Sequence, residues 1–516
     1  MSSAPRRALP ERPDLEQQKK LAKELLRAFR RDERDAVARV RAQLPDKSDV
    51  TLADAQFVLA REYGFASWSD LKHHIETLAG ERLSPLEQFK RAVRRSDANA
   101  LRHVLGRFEE ARAAINEPIF SFDSPSLLAA GNDLDVVNVL LEFGADPNRK
   151  SNWWAGGFHA LYGARGDVAE RLLAAGAMPD ACAAAHLDRI DLLTQMLAAD
   201  PTRVHERGGD GKTPLHFARS KAVVDLLLAA GADIDARDVD HRSTAAEWML
   251  GDSPDDARPE LATYLVERGA SADIFLAAAL GLTDRAHAML EANPSLLALR
   301  TGQGEYGEKR PSSFHIYLWT IGANLSPLHV AAKYGRHETL RIMERFATPE
   351  QRLLLACHLG DGTAARDVVE SQPGIIERLG RADRRALTDE AWAANAPAVA
   401  LMLELGFDPS VPSGSGPTGG TALHCAAWQG SVECVEAILR YPAGRALLET
   451  RDGMYNGTPL SWTSHGSSNC GDPRANHAGV ARVLIEAGAP VPPEAADWEG
   501  SDAFQAVIDA ALSRSS

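Results

Sequence analysis

The sequence predicts an all-α protein, a solenoid of about twelve helix-turn-helix units with a small helical N-terminal domain and a C-terminal capping helix. Three observations carry this prediction. One pattern recurs along most of the chain. The chain has 516 residues, which exceeds the length of about 250–300 residues at which a single hydrophobic core stops growing. Its aliphatic residues form helix-sized blocks that end at glycines, and such blocks favour helices.

The N-terminal region differs from the rest of the chain. Residues 1–13 hold charges and prolines where a secretory signal needs an apolar stretch, so we expect a disordered tail and a cytoplasmic protein. Residues 14–80 predict a helical N-terminal module, to which residues 52–75 contribute apolar surface for a small domain or docking cap. The densest basic stretch, 27–41, contains interleaved acids, which favour a solvated helix face over a nucleic-acid contact.

The recurring pattern is nearly complete at residues 211–238, GKTPLHFARSKAVVDLLLAAGADIDARD. Thr213 can cap a first helix, and Pro214 suits its first position, where no backbone donor is needed. A second helix then buries a Val and Leu stripe, and Gly231 supplies its left-handed stop. Partial copies begin at Ser124, Ser326, Thr421 and Gly457, and weaker copies at Phe89, Phe158, Ala181, Thr244, Phe275, Leu353 and Leu387.

These residues, above all TPLH at 213–216, resemble the ankyrin repeat. Residues 85–492 divide into about twelve units of about 34 residues, close to the value of about 33 for ankyrin repeats. The resemblance implies that the capping hydroxyl and the histidine three residues later share a hydrogen bond, so that His216, His329 and His424 tie repeats together. It also implies a protein-binding role. The segment AREYGFASW at 60–68 is similar to bacterial ankyrin proteins, which implies a bacterial origin.

The remaining features bear on partners. Residues 493–516 predict a polar-faced helix that closes the last repeat with Trp498 and Phe504. The 57 basic and 71 acidic residues give a net charge of −14, which argues against a general nucleic-acid coat or a membrane-surface protein. No stretch approaches the ~18 apolar residues of a membrane span. We therefore expect a protein partner of unknown identity, no nucleic acid, no membrane, no cofactor and a monomeric chain.

Aromatic residues make up only 6% of the chain, so their clusters between repeats stand out. The densest cluster lies in an insertion at 301–325, and it either packs as a local core or forms an exposed recognition patch. An inter-repeat finger that begins at Trp153 allows the same two interpretations. The residues predicted to contact a partner are Trp153, Trp154, Phe158, Tyr306, Phe314, His315, Tyr317 and Trp319.

Catalytic motifs are not found in the sequence: it has no GxSxG, HExxH, Walker or strand-borne GxGxxG pattern, so we expect no enzyme and no catalytic residues. The five cysteines lack CxxC spacing, and those in apolar helical patterns predict buried thiols rather than disulfides. An alternative hypothesis is a metal-dependent or enzymatic site at His465, Cys470 and His477. Their spacing matches no zinc pattern, which favours a loop fastened by hydrogen bonds.

Overall fold

The computed structural model describes residues 7, 9–10, 13–45, 47, 49–81, 83–251, 256–413, 419–498 and 500–515. Within these ranges the chain forms helices, and strand-like pairing is limited to isolated bridges such as Phe120 with Ser124. The predicted all-α class is therefore confirmed. The expected disordered tail at 1–13 lies largely outside the described residues.

The contacts divide the chain into two compact units, Met1–Ala232 and Asp233–Ser516, called unit 1 and unit 2 below. The finer limits expected from the sequence, 14–80, 85–492 and 493–516, stay predictions, as does the number of repeats. The α-helices of unit 1 are α1 (Leu15–Arg30), α2 (Arg34–Gln43), α3 (Leu52–Glu62), α4 (Trp68–Glu81), α5 (Pro85–Arg94), α6 (Ala98–Arg107), α7 (Glu109–Ala113), α8 (Ser126–Ala130), α9 (Leu134–Glu142), α10 (Gly166–Ala174), α11 (Ala181–His186), α12 (Ile190–Ala199), α13 (Pro214–Phe217) and α14 (Lys221–Ala229).

The first four helices of unit 1 pack around small apolar clusters. Leu25, Val40 and Val58 are buried together where α1, α2 and α3 meet. One arginine of the basic stretch at 27–41 is paired within this module, because the Arg39 guanidinium binds both carboxylate oxygens of Glu62, at 2.8 and 2.9 Å. This pairing supports the interpretation of that stretch as a structural helix face.

Unit 2 continues with helix pairs joined by short turns and fingers. Its α-helices are α15 (Ala245–Trp248), α16 (Pro259–Glu267), α17 (Ile274–Leu280), α18 (Thr283–Ala292), α19 (Tyr317–Thr320), α20 (Pro327–Lys333), α21 (His337–Glu344), α22 (Pro349–Leu359), α23 (Gly362–Ser371), α24 (Ile375–Arg378), α25 (Arg381–Arg384), α26 (Ala386–Trp392), α27 (Ala396–Leu405), α28 (Ala422–Trp428), α29 (Val432–Leu439), α30 (Pro442–Arg445), α31 (Pro459–Asn469), α32 (His477–Glu486) and α33 (Asp502–Ser515). Short 3₁₀ segments occupy Ser121–Asp123, Ala160–Tyr162, Pro201–His205, Gly209–Gly211, Pro294–Ala298, Gly304–Tyr306 and Pro493–Asp497.

The core of unit 2 shows why these pairs stack. Helix α28 packs between α26 and α31, and a connected cluster of buried residues extends from Leu353 to Ile508. Helix α33 contributes Phe504 to that cluster and packs on α32. Cys182, Cys357, Cys425 and Cys434 are buried free thiols, as predicted, and Cys470 is free and half-buried. Among the described residues, no helix is both long enough and apolar enough to cross a membrane.

Hydroxyl–histidine pairs fix the start of several first helices. The distance from the hydroxyl oxygen to imidazole Nδ1 is 2.9 Å for Thr213–His216, 2.6 Å for Ser326–His329 and 2.8 Å for Thr421–His424. The backbone N–H of Thr421 also donates to Nδ1 of His424, which leaves Nε2–H to donate to the Gly457 carbonyl at 3.1 Å. His424 thus joins α28 to the next repeat, as the resemblance implied.

We expect His424→Ala to lower stability by about 2 kcal/mol, because it removes the imidazole that binds the capping residue Thr421 and that ties α28 to the Gly457 carbonyl at a buried site. The measurement is the urea midpoint of unfolding, followed by circular dichroism. His103→Ala is the matched control, since His103 is an exposed histidine on α6. Equal midpoints for the two variants would contradict the role assigned to His424.

Candidate functional site

The finger of unit 1 carries an aromatic patch, defined here as Phe122, Trp153, Trp154 and Phe158. The ring of Phe122 lies 5.1 Å from that of Trp153 and 5.6 Å from that of Phe158, measured between ring centroids. Trp153 in turn contacts Trp154 at 6.2 Å. Phe122 and Trp154 are about half exposed, at 54% and 46%. The patch is therefore a contiguous aromatic surface in which two members are only partly covered.

Glycines allow the finger to lie close to its neighbour. Gly156 has a φ of 145°, and an added Cβ there would lie 2.3 Å from the Gly208 carbonyl oxygen. Gly209 lies directly against the Phe158 ring, since an added Cβ would approach that ring to 2.3 Å. Ser151 closes the finger, because its N–H donates to the Phe158 carbonyl and its hydroxyl accepts from the Phe158 N–H, both at 2.9 Å. The patch is thus held on a defined frame.

A cation lies at one side of the patch. The Lys212 ammonium is 5.9 Å from the Phe158 ring centroid and 5.2 Å from that of Phe217. Asp210 pairs with the same ammonium at 3.3 Å. Phe158 therefore lies beside a positive charge that is itself held by Asp210, and this cation–π contact stabilises the observed position of the ring.

In unit 2, the insertion at 301–325 is anchored by a buried carboxylate. Asp273 caps α17 by accepting from the Leu276 N–H, and it also accepts from the hydroxyls of Tyr306 at 2.8 Å and Tyr317 at 2.9 Å. Burial raises the pKa of Asp273 to about 6, and the nearby carboxylate of Glu247 adds to this rise. Nε2 of His315 lies 3.5 Å from Glu247. The insertion therefore packs through polar side chains as well as aromatic rings.

The insertion also binds the finger at 237–244. The Ser313 N–H donates to the Asp240 carbonyl at 2.9 Å, and Arg242 donates to the Gly307 carbonyl at 2.8 Å. Nδ1 of His241 lies 2.9 Å from the Phe314 carbonyl. These contacts join segments about 70 residues apart in the chain, so the first of the two interpretations, local packing, applies to most of the insertion.

Three residues expected to contact a partner have no surface for it. Tyr306, His315 and Tyr317 are buried, and their side chains bind or face the carboxylates of Asp273 and Glu247. This corrects the expectation that these three residues contact a partner directly, because their rings are packed inside unit 2. A contact role stays a prediction for Trp153, Trp154, Phe158, Phe314 and Trp319. Trp319 is 45% exposed, whereas Phe314 is half-buried.

Trp319 projects from the rim of the packed insertion. Its ring lies 4.7 Å from the His241 ring, which also contacts Trp248 at 5.3 Å. One side of the indole is thus supported by the finger while much of its surface stays accessible. Of the aromatic residues in this cluster, Trp319 has the geometry best suited to direct contact with another molecule.

A stacked tryptophan pair was missed in the sequence. Trp392 ends α26 and Trp428 ends α28, and their rings stack at 4.9 Å with planes 17° apart. Trp392 is 45% exposed. The sequence carries a signal for this pair, because both tryptophans end a first helix at corresponding positions of neighbouring repeats.

The structure does not bring His465, Cys470 and His477 together as a ligand set. His465 is exposed on α31 and contacts Asn469, whereas Nε2 of buried His477 lies 2.9 Å from the Trp428 carbonyl. The Cys470 thiol is directed to Gln429. Each side chain thus has a separate partner, as expected for a loop fastened by hydrogen bonds.

The comparison with known families agrees with the helix-cap geometry. The family model "Ankyrin repeat" matches residues 123–152, 210–239 and 418–450, and two of these segments contain the Thr213–His216 and Thr421–His424 pairs. The chain contains ankyrin repeats. No curated protein matches the sequence. Ankyrin repeats are generally protein-interaction modules, and the first matched repeat, 123–152, lies between Phe122 and Trp153 of the aromatic patch.

The carboxyl that anchors the insertion predicts a specific pH dependence. Relative to Asp273→Asn, we expect the wild type to lose stability as the pH rises from about 4 to about 6, by about 1–3 kcal/mol. The unfolded carboxyl releases its proton near a pKa of about 3.9, whereas the folded one holds it until about 6. Asparagine still caps a helix, so the difference reports on the charge.

Urea midpoints measured at several pH values test this expectation. Asp361→Asn is the matched control, because Asp361 caps α23 in the same way but is exposed. If the curves of wild type and Asp273→Asn run parallel over this pH range, the raised pKa of Asp273 is wrong.

Proposed function

We propose that this chain is a non-enzymatic protein-binding scaffold that acts through the concave face of its ankyrin repeats and the fingers between them. The observation that carries the proposal is the aromatic patch of unit 1, in which Phe122 and Trp154 stay about half exposed on a frame fixed by close glycine contacts. Exposed aromatic residues on a rigid support are favourable anchors, because they bury large areas at a low cost in side-chain entropy.

Two further exposed indoles, both in unit 2, support the same proposal. Trp319 on the insertion and Trp392 in the stacked pair are each 45% exposed. Each indole offers a large apolar face that contact with another molecule would remove from water. We place the partner contacts at Trp153, Trp154, Phe158, Phe314 and Trp319, with Phe122 and Trp392 added from the structure.

The wider biological setting follows the sequence expectations and is part of the proposal. The partner is a protein, and neither nucleic acid, membrane nor cofactor is required for binding. The chain works as a monomer in the cytoplasm, and a bacterial source is the expectation from the segment at 60–68. The pairing of Arg39 with Glu62 supports the exclusion of nucleic acid, since it neutralises part of the densest basic stretch.

We expect Trp154→Ala and Trp319→Ala each to weaken partner binding about 30-fold, because loss of a desolvated aromatic anchor costs about 2 kcal/mol. A partner is first captured from the native lysate with the full chain, and its affinity for each purified variant is then measured by calorimetry. Trp154 and Trp319 lie in different units, so each variant tests one surface separately.

Matched controls are available in both units. Met178 is 70% exposed in unit 1 and Tyr455 is 74% exposed in unit 2, and both lie outside the proposed contact residues. Met178→Ala and Tyr455→Ala should bind as the wild type does. Wild-type affinity in both tryptophan variants would show that the contacts lie elsewhere.

A further inference from the structure

Three helices of unit 2 bring two imidazoles and a carboxylate together. His329 lies on α20, His358 on α22 and Glu390 on α26, and one ligand atom of each lies within 4.8 Å of those of the other two. His329 and Glu390 are buried, whereas His358 is half-buried. The protein-binding role proposed above uses none of these three side chains.

Ser326 leaves one nitrogen of His329 for this cluster. Its hydroxyl lies 2.6 Å from Nδ1 of His329, so Nε2 is the nitrogen left to act as a ligand. In the later repeat, the corresponding Nε2 of His424 donates to the Gly457 carbonyl. Around His329, by contrast, the neighbouring group is the ring of His358, at a centroid distance of 4.9 Å and an angle of 68°. A repeat-to-repeat tie is thus replaced by a second imidazole.

The other two side chains form a fixed pair. Nδ1 of His358 lies 2.7 Å from Oε1 of Glu390. The Asn395 amide orients this pair, because it donates to Oε2 of Glu390 at 2.7 Å and to the His358 carbonyl at 2.9 Å. Outer contacts of this kind fix the orientation of metal ligands in known sites.

The charges around the cluster suit a divalent cation. Burial, His358 and Arg300 lower the pKa of His329 well below its usual value. The positive charge of Arg300 is offset by Asp383, whose carboxylate lies 2.8 Å from the guanidinium.

From this geometry we propose that His329, His358 and Glu390 form a binding site for a first-row divalent transition metal ion, with zinc the best fit. Two imidazoles and one carboxylate are a known zinc ligand set that leaves a fourth position open for water or a partner side chain. The metal joins three first helices of unit 2 that are distant in the sequence.

The distances require only small movements. Zinc–ligand bonds of about 2.0–2.1 Å in a tetrahedron place ligand atoms roughly 3.3 Å apart. The 2.7 Å contact between His358 and Glu390 must therefore open slightly, and any longer separation, which is at most 4.8 Å, must close. When the metal binds at Nδ1 of His358, the proton held between Nδ1 and Oε1 is displaced and Nε2 of the same ring takes up a proton from solvent, so the imidazole stays neutral. The half-buried ring of His358 provides the route of entry.

Zinc titration of the full chain, after removal of bound metals by a chelator, tests the proposal. We expect about one equivalent of Zn²⁺ to bind in calorimetry and to raise the unfolding temperature. His358→Ala and Glu390→Gln should each weaken zinc affinity at least about tenfold and remove the thermal shift. Glutamine keeps the size and hydrogen-bonding capacity of Glu390, so this variant retains the fold even where His358→Ala does not.

The alternative loop provides the matched control. The double variant His465→Ala, Cys470→Ser should bind zinc as the wild type does, because neither side chain belongs to the cluster. Co²⁺ substitution adds a readout of geometry, since its visible absorption reports on the ligand set. Absence of stoichiometric binding, unchanged affinity in Glu390→Gln, or loss of binding only in the double variant would each overturn the proposal.

Discussion

A helix pair with one apolar face cannot bury that face by itself, and the rest of this structure depends on that constraint. In unit 2, the buried cluster from Leu353 to Ile508 is continuous because each pair completes the core of the next. Small residues such as Ala426 and Ala427 are fully buried and let neighbouring helices approach closely. The core is consequently built from aliphatic side chains, and few aromatic residues are needed inside it.

Helix starts impose a second constraint, since their first N–H groups need acceptors. Side chains at the helix starts accept hydrogen bonds from these N–H groups, and some of the same side chains also bind distant segments. Asp273 caps α17 and receives the hydroxyls of Tyr306 and Tyr317, which lie 33 and 44 residues later. The same carboxylate therefore caps a helix and anchors the insertion through two hydrogen bonds.

These two constraints explain what the sequence could predict. The TPLH segment at 213–216 is local, so its cap, its helix and its family resemblance are readable from adjacent letters. The burial of Tyr317 depends on Asp273, and no local pattern reports a contact 44 residues away. The alternative ligand set fails for the reverse reason, since His465 and His477 are near in sequence but lie on different helices, α31 and α32, with separate partners. Proximity in sequence is therefore a poor guide to ligand sets when the residues lie on different helices.

A repeat frame also lets one position acquire different chemistry in different repeats. His424, the histidine paired with the cap of α28, ties that helix to the Gly457 carbonyl. His329 occupies the same position of its own repeat but faces the His358 ring. Helix α26 shows the same freedom, since Glu390 is buried against His358 while Trp392, two residues later, is exposed and stacks on Trp428. Aliphatic residues elsewhere in each helix supply the stacking energy, so these polar and aromatic positions can change without loss of the fold. The departures from the repeat pattern, rather than its matches, are therefore where we place the proposed contacts and the proposed metal site.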